Sequence, residues 1–160
     1  MLGKLPGQPQ GVALVVDTDI AVAAELRAAI EAVGQPTIAV SDFHAARREL
    51  RTRDLNAVVA NLRLGPFNGI HLAYAVKHAH PDTRVIIYAE HHDQLLAREA
   101  QRAGAFYERL ALVPYVIGRF LGAALPTADR RDTTSPDRRT WFRGGRRSSD
   151  MSSLHPVAAF

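Results

Sequence analysis

The chain has 160 residues, 47% of them hydrophobic, enough to enclose the core of one ordinary domain. It contains no cysteine, which excludes a disulfide scaffold, a thiol nucleophile and thiolate metal sites, and which suits the cytoplasm. The net charge of +4 is unevenly spread: residues 1–126 carry 13 Lys and Arg against 12 Asp and Glu, whereas residues 127–160 carry seven Arg against four Asp.

Residues 1–10 hold Gly3, Pro6, Gly7 and Pro9 and no long apolar run. They are expected to be flexible and to form neither a signal peptide nor an anchor. No later stretch reaches the roughly 20 apolar residues that span a bilayer, so a soluble, cytoplasmic protein is expected.

Gly11 to Val16 is a continuous apolar run ending in Asp17-Thr18-Asp19, the pattern of a strand buried on both faces. Val22, Leu26, Ile30 and Val33 follow at helical spacing, with Asp19 available to start the helix and Gly34 to stop it. Thr37 to Val40 reads as a second strand, after which Ser41 opens a helix through Leu50. Ala57 to Ala60 is a third buried strand, and Asn61 to Gly69, with Gly65, Pro66 and Gly69, reads as a loop. Ile70, Ala73, Val76 and Ala79 mark a third helix ended by Pro81, and Val85 to Tyr88 a fourth strand. Asp93 to Ala103 is a fourth helix with Gly104 in the favoured left-handed cap position. Phe106 to Arg109 is a fifth strand, and Val113, Val116, Ile117 and Phe120 mark a last helix to about Ala124.

Five strands alternating with five helices through short turns predict a parallel sheet covered on both faces, with right-handed crossovers. Function in such a sheet sits at the carboxyl ends of the strands, near the topological switch point. Here those ends are Asp17-Thr18-Asp19, Asn61, Ala89-Glu90 and Arg109. The pattern fixes a fold class and no function.

The residues at these ends resemble the receiver domain of two-component signalling. Val15 to Asp19 resembles the family's opening, two hydrophobic residues followed by paired acids. Asn56 to Gly69 resembles its third strand and following loop, and Ala100 to Ala105 its fourth helix running into the fifth strand. The resemblance spans roughly residues 12–124 and implies a flavodoxin-like, doubly wound (βα)5 parallel sheet of strand order 2-1-3-4-5. It divides the chain into a flexible start, a receiver-like domain over residues 11–125 and a basic tail over residues 126–160.

In that family, paired acids after the first strand and an aspartate after the third hold Mg2+, and the aspartate accepts a phosphoryl group from a histidine kinase. A Thr or Ser after the fourth strand and a Lys after the fifth bind the phosphoryl oxygens. This sequence departs at each position. Asn61 stands where the phosphoacceptor belongs, and the acid pair is reduced to Asp17 followed by Thr18, with Asp19 beyond. Ala89 maps to the hydroxyl position, and Arg109 is the nearest cation to the end of the fifth strand. Phosphoryl transfer needs an anionic oxygen nucleophile, which an amide is not. One remaining carboxylate makes a poor Mg2+ site, so weak or absent Mg2+ binding and no other cofactor are expected. The replacements also relieve repulsion, worth about 4 kcal/mol for two carboxylates roughly 4 Å apart at an effective dielectric of about 20.

Other residues invite sharper and plainer readings. Asp17 is either a helix-start residue that satisfies backbone N–H groups or a residual metal contact, and Asn61 reads first as a hydrogen-bonded loop residue. His71 and His78 share a helix face but have no acidic or cysteine partner at ligand spacing, and these two with His80, His91 and His92 read as solvated surface. Glu90 to Asp93, including His91 and His92, lies in a loop that receivers rearrange on activation, so it is either a contact surface or a plain polar loop. Alternation puts Phe106 and Tyr107 on opposite faces, one toward the core and the other toward a partner or solvent.

The tail is too polar to build a core and is expected to be disordered alone. Trp141, Phe142 and Arg143 interrupt it as short docking segments do, while Arg pairs such as Arg146-Arg147 suit nucleic acid or an anionic surface. Residues 125–160 do not read as a DNA-binding output domain, so a conventional transcription factor is not expected. The reading that results is a non-enzymatic module, binding a protein partner or itself without phosphorylation. By resemblance it docks through the fourth helix, fifth strand and fifth helix, residues 93–124. A nucleic-acid or anionic-surface binder working through the tail is the alternative, and an ordinary phosphorylatable receiver a weaker one.

Overall fold

The computed structural model describes residues 11–123. The tail residues named above, Trp141, Phe142, Arg146 and Arg147, lie outside the described residues, as do residues 1–10. In chain order the elements are β1 (Val12–Val16), α1 (Ile20–Ala32), β2 (Thr37–Val40), α2 (Phe43–Thr52) and β3 (Leu55–Asn61). A hairpin of two short strands follows, β4 (Arg63–Leu64) and β5 (Phe67–Asn68), then α3 (Gly69–Ala79) and β6 (Arg84–Ala89). The chain continues with α4 (Gln94–Arg102), β7 (Phe106–Arg109), a 3-10 turn at Leu110–Leu112 and α5 (Val113–Gly122).

The sheet runs β2-β1-β3-β6-β7 with every pair parallel. Leaving out the separate hairpin, this is the expected order of strands, with the switch point between β1 and β3. Side-chain alternation divides the core into two layers. Leu14, Val16, Val58, Ala60, Val85 and Ile87 face α2, α3 and α4, whereas Ala13, Val15, Ala57, Val59, Ile86 and Tyr88 face α1 and α5. Both faces of the central strands are buried, which accounts for runs that are apolar without alternation.

Side-chain caps start four of the helices. Asp19 accepts the N–H groups of Ala21 and Val22, and Asp93 those of Leu95 and Leu96. Asn68 accepts the N–H of His71. The cap of α2 is Asp42, which accepts the N–H of Ala45 at 2.8 Å, and not the expected Ser41. Ser41 is one residue too early, and its hydroxyl turns to the Asp42 carboxylate at 3.4 Å.

The segment after Asn61 is more ordered than a plain loop. Leu64 is buried, and the ring of Phe67 stacks on Phe43 of α2 with centroids 4.4 Å apart and planes 12° from parallel. Gly69 begins α3 so close to β3 that a Cβ there would lie 2.5 Å from the carbonyl oxygen of Asn61. His80 also departs from the surface reading: half-buried at the end of α3, its Nε2 lies 2.8 Å from the carbonyl oxygen of Leu50. Among the described residues, no helix is long and apolar enough to cross a membrane.

Candidate functional site

Register and alternation together build the site. Val16 lies opposite Ala60 and Asn61 opposite Tyr88, so Asp17, Asn61 and Tyr88 stand side by side at the carboxyl ends of β1, β3 and β6. All three share the parity of Val15, Val59 and Ile86 and therefore turn toward the α1/α5 face.

Their side chains form one contact group. Asp17 is buried, at 1% exposure, and Tyr88 is fully buried. Oδ2 of Asp17 accepts the Tyr88 hydroxyl at 2.5 Å and the Asn61 amide at 3.1 Å. Oδ1 accepts the backbone N–H of Asp19 at 2.8 Å. The Asn61 amide is fixed from its other end, where Oδ1 accepts the N–H of Arg63 at 2.9 Å. Burial, then the hydrogen bond and negative charge of Asp17, then the charge of Asp19, hold the Tyr88 phenol far above its ordinary range. At any physiological pH Tyr88 is therefore a neutral O–H donor.

The other expected pocket residues disperse. Thr18 and Asp19 are exposed, with Asp19 engaged as the cap of α1. Ala89 pairs with Arg109 across β6 and β7, and the Arg109 side chain is exposed. The hydroxyl that reaches the acidic residue comes from Tyr88, one position before Ala89. In the sequence Tyr88 reads only as the end of an apolar strand; its parity with Asp17 and Asn61 is the signal that marks it.

A second cleft, of about 220 Å³, opens beside this group and is lined by Asn61, Arg63, Ala89, His91, Asp93 and Tyr107 among others. Tyr107 leans into it half-buried, and its hydroxyl donates to the carbonyl oxygen of His91 at 3.2 Å. The His92 ring meets Tyr107 edge-on at 5.6 Å. Burial, followed by the charge of Asp93, raises the Tyr107 phenol above its usual range. Phe106 lies 52% exposed, packed edge-on against Phe120. Tyr107 is thus the inner and Phe106 the outer of the pair.

Comparison with known proteins agrees with this architecture. No curated protein matches the chain. The fold is similar to that of a CheY-like receiver domain protein from Methanospirillum hungatei JF-1, with 16% identity, a TM-score of 0.62, and 69% of this chain and 92% of that one covered. The receiver domain of NtrX from Brucella abortus is similar at 22% identity and a TM-score of 0.62, covering 70% of this chain and 99% of that one. A LuxR-family two-component response regulator from Aurantimonas sp. SI85-9A1 is 25% identical with a TM-score of 0.60, covering 74% and 91%. The family model for the response regulator receiver domain matches residues 13–108, the stretch that carries β1 through β7 almost whole. With the sheet order, the switch-point site and this match in agreement, the chain belongs to the response regulator receiver domain family.

Proposed function

We propose that this receiver domain is a non-catalytic interaction module that works without being phosphorylated, in the cytoplasm. The observation that carries the proposal is that Asp17, buried, already accepts three donors, from Tyr88, Asn61 and the Asp19 N–H. Asn61 offers a neutral amide where a phosphoryl acceptor would need an anionic oxygen, and its oxygen already accepts a backbone N–H.

The same donors bear on Mg2+. A divalent cation takes lone pairs from oxygen ligands, mostly carboxylates, whereas here O–H and N–H groups already point at those lone pairs. Among the described residues no three His, Cys, Asp or Glu side chains gather as a metal site. The residues present do not fit the ion, and no step is assigned to it.

The docking face of this module is that of α4, β7 and α5. Leu95, Phe106 and Tyr115, one from each element, are 74%, 52% and 82% exposed. Large apolar and aromatic side chains left in solvent are what a protein partner buries to gain affinity.

Intact-mass measurement after incubation with acetyl phosphate and Mg2+ tests the central point. The expected result is an unchanged mass. A stable gain of one phosphoryl group, lost when Asn61 or Asp17 is replaced, overturns the reading.

A further inference from the structure

We infer that the outer face of α2 and α3 is a binding site for single-stranded nucleic acid, with arginines of α2 tracking the phosphates and Tyr74 of α3 stacking on a base. The inference goes beyond the protein-docking reading above and does not depend on it.

The two helices lie side by side along their length. At their starts, Phe43 stacks on Phe67, two residues before α3 begins, and His44 meets the same ring edge-on at 5.1 Å. At their ends, Nε2 of His80 lies 2.8 Å from the carbonyl oxygen of Leu50. Helices packed in this way stand roughly 8–10 Å apart, so what each presents to solvent belongs to one surface.

Each helix lays one stripe on that surface. On α2, His44, Arg47 and Arg51 are spaced i, i+3, i+7, exposed, and clear of the buried Phe43, Ala46 and Leu50. On α3, His71, Tyr74 and His78 have the same spacing and are also exposed, Tyr74 by 45%. α3 contains no Asp or Glu, and Glu49, the only acid of α2, is bound to Arg53. Among the described residues, Arg47 and Arg51 have no carboxylate within ion-pair distance. The neighbouring acids lie off the stripes. Asp42 lines the groove on the α1 side of α2 together with Arg27 and Arg48, and Asp54 and Asp82 lie beyond the C-terminal ends of α2 and α3.

A cationic stripe beside an aromatic one fits a nucleic-acid strand. Arginine forks bind phosphate oxygens two at a time. The stripe from His44 to Arg51 rises about 10 Å, the span of roughly three phosphates at about 3.4 Å of rise each. The neighbouring phenol ring offers a face on which any base can stack, and it reaches a base face only where the strand is unpaired.

Other polyanions use the surface less well. A protein partner needs apolar anchors, and Tyr74 is the only large apolar side chain exposed on either helix. An anionic membrane takes an amphipathic helix by its apolar side, which in α2 is already buried in the core.

The test measures binding of fluorescein-labelled oligo-dT and oligo-U to the full-length protein by anisotropy, at low and at physiological salt. Poly-glutamate and phosphatidylserine vesicles run beside them. The oligonucleotides should bind at low salt and weaken steeply as salt rises, and the tighter of the two identifies DNA or RNA as the ligand. Arg47→Glu combined with Arg51→Glu should weaken binding by about tenfold or more and flatten the salt dependence. Tyr74→Ala should weaken it by about tenfold and leave the salt dependence in place. In 15N-labelled protein, oligo-dT should shift the amides of Arg47, Arg51 and Tyr74. All three side chains are exposed, so the circular dichroism of the variants should match the wild type. Binding of neither oligonucleotide overturns the proposal. So does binding that the arginine reversals leave unchanged, which would place it on the tail with its seven Arg against four Asp. Undiminished affinity in Tyr74→Ala, or tighter capture of poly-glutamate or vesicles, overturns it as well. A phosphoryl gain in the acetyl phosphate experiment would fail the phosphorylation-independent reading alone.

Discussion

The Tyr88 hydroxyl lies 2.5 Å from Oδ2 of Asp17, and neither residue is open to solvent. A buried carboxylate is stable only when its lone pairs are met, and here a phenol, an amide and a backbone N–H meet them. Tyr88 therefore has two physical roles: its ring fills the layer between the sheet and the α1/α5 face, and its hydroxyl solvates a charge.

Tyr88→Phe separates these roles. The ring volume is kept, but Asp17 loses its shortest hydrogen bond while staying buried. The expected cost is about 1–3 kcal/mol, the penalty of a buried polar group left short of a partner. Calorimetry should show a fall in Tm of roughly 5–15 °C for a domain of this size. An unchanged Tm would mean that water replaces the hydroxyl without loss.

Alkaline pH probes the same contact. The folded state holds Tyr88 neutral and raises its phenol above the ordinary value of about 10 found in the unfolded chain. Its contribution to stability is complete below that value and is lost as pH rises past it, because only the unfolded state readily releases the proton. Wild-type stability should fall above about pH 10, and Tyr88→Phe should lack that part of the fall. Absorbance titration of the four tyrosines should leave Tyr88 un-ionised until the protein unfolds.

Asn61→Asp replaces a donor to Asp17 with a second carboxylate. Repulsion across the 3.1 Å contact and the lost hydrogen bond should together cost about 2–4 kcal/mol without divalent ions. Millimolar Mg2+ should restore part of the stability of the variant and leave the wild-type Tm in place. Thermal melts with and without the ion check both halves of this expectation.

Gly69→Ala tests the close packing of α3 on β3. A Cβ 2.5 Å from the Asn61 carbonyl oxygen cannot be accommodated without moving backbone. A loss of about 1–3 kcal/mol is expected, although alanine is the better helix former. Amide shifts should centre on Asn61, Leu62 and Gly69. A neutral or stabilising result would show that the hairpin yields freely.

The order of elements is legible because both faces of the sheet are covered: Gly11 to Val16 and Ala57 to Ala60 read as buried runs and lie within the strands Val12–Val16 and Leu55–Asn61 apart from Gly11, and Asp19, Gly34 and Gly104 punctuate helices where expected. What depends on neighbours distant in the chain is not. Tyr88 looked like one more apolar strand residue because its partner, Asp17, stands 71 positions away. The hairpin leaves no mark in the sequence because strands of two residues have no period, and its anchor, Phe43, belongs to α2. Ser41 and Asp42 are both competent caps, so only backbone geometry chooses between them. His80 reads as surface for the same reason: Leu50, whose carbonyl it meets, lies 30 residues earlier.

Titration of 15N-labelled protein with Mg2+ and then beryllofluoride, a mimic of the phosphoryl group, addresses the Asp17, Asn61 and Tyr88 group most directly. If the donors from Tyr88, Asn61 and Asp19 hold Asp17 against the ion, the amides of Thr18, Asn61, Leu62 and Ala89 should stay in place through millimolar additions. Saturable shifts at those amides, spreading to Tyr107 when beryllofluoride is added, would show a pocket that still takes the ion and the phosphoryl mimic, and would contradict a phosphorylation-independent module.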